Sequence, residues 1–118
     1  MQNNEAFTSH HILYVLLDDL EKYIRDILIK LDSNLNIIKK QISLLLKNYN
    51  SLSQSEQVDK SVISLLKTSK KLMKEFGDKI VTQELLLLSF TSMNDQAKGI
   101  LSNHNITFSK LQNEIKKF

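Results

Sequence analysis

The sequence predicts an all-α domain made of two pseudo-symmetric helical repeats, and three observations carry that reading. Among 118 residues there is no proline and only two glycines, so few positions force the backbone to break. Apolar residues recur three and four positions apart through most of the chain, which is the period of a one-faced helix. The pattern of the first half then returns in the second at a constant offset of 73 positions.

In chain order, Thr8 or Ser9 caps a helix over 9–19 that carries Ile12, Val15, Leu16 and Leu20 along its stripe. Tyr23, Ile24, Ile27, Leu28 and Leu31 define the next, over 23–31. Asp32 is a short polar residue that tolerates a left-handed bend, and a helix over 36–46 follows with Ile38, Ile42, Leu45 and Leu46. Residues 47–58 are rich in Ser, Asn and Gln and read as a linker between repeat one (1–46) and repeat two (59–118) of a single domain.

The clearest stripe runs through Val62, Leu65, Leu66, Ser69, Leu72, Met73 and Phe76, predicting a helix over 59–76 that Gly77 stops. After an extended step from Asp78 to Val81, Thr82 caps a leucine-rich helix over 83–93, buried on most sides. Ala97, Ile100 and Leu101 mark a helix over 95–104, Asn105 a second left-handed bend, and Thr107 caps 108–117 with Leu111, Ile115 and Phe118.

In the overlay His11 falls on Glu84, Glu5 on Asp78, Ile27-Leu28 on Ile100-Leu101, Ile42 on Ile115, and Asp32 on Asn105. The helix over 59–76 has no counterpart before Glu5, so the first repeat lacks its first helix. An apolar scar is expected where that helix would lie. The expected core is Ile12, Val15, Leu16, Ile27, Leu28, Ile42, Leu65, Leu72, Leu87, Leu88, Ile100, Leu101, Leu111 and Ile115.

Several kinds of chemistry are disfavoured. Gly77 and Gly99 stand alone and form no phosphate loop. His10 and His11 project about 100° apart on a helix and do not converge on one metal; His11 reads as packing, and His104 as a residue at a helix end. Asp18-Asp19 reads as solvated, and the absence of Cys excludes disulfides and thiolate zinc sites.

The net charge of +3 and the pI near 9.1 raise a nucleic-acid reading. The lysine doublets 39–40, 70–71 and 116–117 are instead scattered among apolar positions, as on solvated helix faces. No signal-like N-terminus is present, and the aliphatic run Leu85–Leu88 is too short to span a bilayer, so a cytoplasmic domain with no membrane partner is expected.

The segment GDKIVTQELLLLSF (77–90), its weaker echo EAFTSHHILYVLL (5–17) and the two left-handed sites together resemble the Clp N-terminal repeat domain of AAA+ unfoldases. The helix from Val62 to Phe76, followed by Gly77-Asp78 and then Ile80 and Glu84-Leu85, looks most like the ClpB or disaggregase branch. The resemblance implies a non-catalytic domain without a cofactor of its own, monomeric in isolation, from a hexameric parent whose remainder binds ATP. Its partners would be unfolded or aggregated proteins, with Leu66 and Leu85 matching groove-lining apolar positions and Asp78 and Glu84 an acidic pair.

Two alternatives stand beside it: a folded adaptor as partner, as in the ClpA and ClpC branches, and, more distantly, a basic helical nucleic-acid binder. The chain departs from the family at Ser9, where proline is frequent, at Asp32 and Asn105, where glycine is common, and in the missing first helix, which in the family borders a peptide-binding groove.

Overall fold

The structure, a computed structural model, describes residues 8–52 and 60–117. The described residues form seven helices and no strand: α1 (Ser9–Asp18), α2 (Lys22–Lys30), α3 (Leu35–Leu52), α4 (Lys60–Glu75), α5 (Gln83–Ser92), α6 (Gln96–Asn103) and α7 (Phe108–Ile115).

Side-chain caps start the helices where hydroxyl or carboxylate residues precede an apolar stripe. Thr8 accepts from the His10 amide and closes a capping box with His11, whose Nδ1 takes the Thr8 amide at 3.0 Å. Thr82, Asp95 and Thr107 cap α5, α6 and α7 through the amides of Leu85, Ala97 and Lys110.

Asp32, Gly77 and Asn105 all have positive φ, at 63°, 76° and 69°. Each closes the same paired-bond helix end. Ser33 N donates to Leu28 O and Asp32 N to Ile29 O; at an offset of 73, Ile106 N donates to Leu101 O and Asn105 N to Ser102 O. Asp78 N to Met73 O and Gly77 N to Lys74 O repeat the pattern at the end of α4.

α3 runs to Leu52, six residues beyond the expected end at 46. Polar residues without glycine or proline do not stop a helix by themselves, so composition alone misplaced that boundary. The remainder of the expected linker, 53–58, lies outside the described residues, as do Glu5, Asp59 and Phe118.

The core forms one cluster with α5 at its centre, where Leu85, Leu87, Leu88 and Phe90 are all inaccessible to solvent. α4 and α7 pack on α5, and α3 packs on α1. Most of the expected core is buried, while Ile12, Ile100 and Ile115 are partly buried. Val15 is a correction: it is 66% exposed, and Leu13 and Leu17 are buried instead. From Ile12 to Leu17 α1 is apolar on every side, so spacing did not determine which side turns inward.

Several contacts join the two repeats. Asn105 Nδ2 donates to Asp32 O at 3.4 Å, joining residues 73 apart and therefore equivalent to each other. Ser33 Oγ donates to His104 O at 2.6 Å, and Lys30 pairs with Glu114 at 2.9 Å. Two crossed contacts tie each repeat's second-helix start to the other. Gln83, opening α5, donates to Asp19 O and accepts from Glu21 N, both at 2.9 Å. His10, its equivalent in α1, lies 3.4 Å from the Asp95 carboxylate that caps α6.

Candidate functional site

The four sequence-predicted residues occupy three different environments. Leu66 is 51% exposed on the outer side of α4, one turn from the exposed Ile63. Asp78 has an exposed side chain, while its amide completes the α4 stop. The exposed Ile80 and Val81 follow it in the extended step.

Glu84 is half-buried in the first turn of α5, where its carboxylate accepts a hydrogen bond from the Tyr23 hydroxyl. Burial first, and then that hydrogen bond, push the Tyr23 phenol well above its ordinary range. Leu85 is entirely buried. It can brace the surface from below, but a ligand cannot touch it without displacing core packing. It was the family resemblance that made Leu85 groove-lining; four consecutive leucines carry no periodicity that separates inner from outer.

A second apolar surface lies between α1 and the start of α5. Ile12, Val15 and Leu16 from α1 and Leu86 from α5 line a shallow groove of about 380 Å³, with His11, Asp19 and Gln83 at its edges. Through the repeat offset, Ile12, Val15, Leu16 and Asp19 correspond to Leu85, Leu88, Ser89 and Ser92 on α5. The groove is where the repeat register places the apolar scar.

The structure also pairs polar side chains that lie far apart in the chain. Nothing local in the sequence pairs His10 with Asp95. Burial raises the Asp95 carboxyl, but the bond and charge of His10, with the amides of Ala97 and Lys98, outweigh it and hold the group below its usual range. Among the described residues no group of three or more His, Cys, Asp or Glu side chains could hold a metal ion. None of the described helices is long and apolar enough to cross a membrane.

Over residues 1–104, from before α1 to the end of α6, the chain matches the Clp repeat (R) N-terminal domain. It belongs to that family. No curated protein matches the chain. As a Clp repeat domain it is a non-catalytic N-terminal module of the kind that Clp ATPases carry. Two apolar surfaces are open on it: the exposed residues of α4 and its following step, and the groove on α1.

Proposed function

We propose that this Clp domain is the substrate-recognition module of a ClpB-type disaggregase, capturing unfolded or aggregated polypeptide for ATP-driven rings elsewhere in a cytoplasmic, hexameric parent. The observation that carries this reading is the exposed apolar pair Ile63 and Leu66 on α4, with Ile80 and Val81 exposed in the step that follows.

An unfolded client offers aliphatic and aromatic side chains in no fixed order, and an open apolar surface suits it because burial is not directional. Asp78 supplies a carboxylate for client amides or basic side chains. Glu84 acts indirectly, holding Tyr23 and the start of α5, and Leu85 supports the surface from beneath. Binding of this kind is weak and reversible, as suits a module that must release its client onward.

The test is capture of a fluorescently labelled, denatured model protein. Leu66→Ser should lower capture several-fold with an unchanged melting temperature, because the side chain already faces water. Undiminished capture by Leu66→Ser, with tight binding of a folded adaptor instead, would shift the assignment to the adaptor-binding branches.

A further inference from the structure

The excess positive charge of this chain is gathered on one helix. The whole sequence carries +3, and α4 alone holds five lysines, Lys60, Lys67, Lys70, Lys71 and Lys74, against one carboxylate, Glu75. All five are exposed, and among the described residues none of them is in an ion pair, whereas Lys22, Lys30, Lys39 and Lys117 each have a carboxylate partner. The C-terminal dipole of α4 favours a cation in the last turn, which accounts for Lys74 but not for Lys67, Lys70 and Lys71 before it.

These charges adjoin the exposed apolar residues. Val62, Leu65, Ser69 and Leu72 are buried, so the opposite row of α4, with Ile63, Lys67, Lys70 and Lys74 at i, i+4, i+7 and i+11, faces water, and Leu66 flanks it. The outer face is divided along its length, apolar at Ile63 and Leu66 and cationic from Lys67 to Lys74. Past Gly77, the charges of Asp78 and Lys79 offset each other.

The cationic half also has a recess beside it. Lys71 of α4 and Lys98 of α6 both line a cleft of about 370 Å³, with the hydroxyl side chains of Thr68, Thr91 and Ser92 and the single carboxylate of Glu75 on its wall. Two ammonium groups and several hydroxyls suit a carboxylate side chain entering from outside.

An acidic polypeptide, a nucleic acid and an anionic membrane all meet a lysine cluster favourably, and the adjoining aliphatic pair separates them. Single-stranded nucleic acid gains from aromatic stacking, and the outer row of α4 has no aromatic residue. A bilayer surface is held by a broad inserted apolar face, which Ile63 and Leu66 alone do not supply. A polypeptide offers aliphatic and acidic side chains on one strand.

We propose that the α4 surface selects clients in which an apolar stretch is followed closely by acidic residues. The apolar part lies on Ile63 and Leu66, and the acidic part lies along Lys67, Lys70 and Lys74 with one carboxylate in the cleft of Lys71 and Lys98. This rests on the reading of α4 as the client surface and adds a charge preference to it. From Lys67 to Lys74 the helix rises about 10 Å, the reach of about three extended residues, so a short acidic run is enough.

The probes are two unstructured peptides of equal length with the same leucine-rich stretch, flanked in one by aspartates and in the other by lysines. Each is titrated into the whole chain and followed by fluorescence anisotropy. The acidic peptide should bind about threefold to tenfold tighter at low salt, as expected of several exposed charge pairs, and the preference should vanish in about 1 M salt. Lys70→Glu combined with Lys74→Glu should reverse the preference, which loss of the fold cannot do. Lys98→Gln should weaken the acidic peptide alone, and Leu66→Ser should weaken both peptides alike.

Equal binding of the two peptides, or a preference that survives the double charge reversal, overturns the proposal and leaves α4 standing as a client surface. Tighter binding of oligothymidylate or of phosphatidylglycerol vesicles through the same lysines overturns it in favour of that polyanion. Failure of both peptides to bind also overturns it; if Leu66→Ser then captures denatured protein normally, the client reading falls as well.

Discussion

α1 and α5 are the same helix placed twice, with contrasting fates. Both start from a threonine cap, and both make a contact with a loop of the other repeat. Yet Leu88 is wholly buried and its equivalent, Val15, is 66% exposed. The difference lies in what covers them: α4 lies on α5, and no described helix takes that place on α1. Burial at a repeat position is thus a property of the neighbour as much as of the residue.

The sharpest way to break this comparison is a matched truncation. Leu88→Ala should cost about 2–5 kcal/mol through lost transfer energy and the cavity left behind. Val15→Ala should stay within about 0.5 kcal/mol. Urea denaturation midpoints measure both, and equal losses would show that α1 and α5 are covered alike.

The comparison is sharpened by closing the open face. Fusing an amphipathic helix patterned on α4 ahead of Met1 should raise stability by about 3 kcal/mol, the burial of two large apolar side chains. An unchanged denaturation midpoint would mean that the α1 face has no use for such a helix.

The crossed contacts supply a smaller difference, because one is titratable and the other is not. The Asp95 carboxyl is held below its ordinary value of 3.8 in the folded state. Its contribution is therefore fully present above that value and lost as pH falls through the depressed folded value. Asp95→Asn keeps an equally good helix cap and should flatten that acid limb, whereas Asp95→Ala should cost about 1 kcal/mol at neutral pH. Substituting Gln83 should leave the acid limb unaltered, as read from stability measured between pH 2 and 6 in roughly even steps.

The smallest effect is expected at the two left-handed turns. Asp32→Gly relieves a positive φ and should stabilise by up to about 1 kcal/mol, less the added entropy of the unfolded chain. Asn105→Gly should gain less, since it also removes the bond from Asn105 Nδ2 to Asp32 O. Melting temperatures of the two variants give the order directly.

Much of the fold was legible from sequence because its signals are local. Threonine caps, the glycine stop after Phe76, and the polar residues at 32 and 105 act within a few residues of themselves, and all four behave as their chemistry dictates. The boundary of α3 was less so, because Ser, Asn and Gln are weak breakers and α3 runs on to Leu52.

What only the tertiary structure decided is rotation and pairing. A segment such as Ile12 to Leu17, apolar all round, can turn any side inward, and packing against α3, α4 and α5 selected Leu13 and Leu17 over Val15. The same ambiguity hid Leu85 in the core and left Leu66 in water. His10 with Asp95, and Tyr23 with Glu84, join residues far apart in the chain, so no local pattern announces them. Sequence periodicity determines that a helix has a face; the direction of that face is set by what the rest of the chain brings against it.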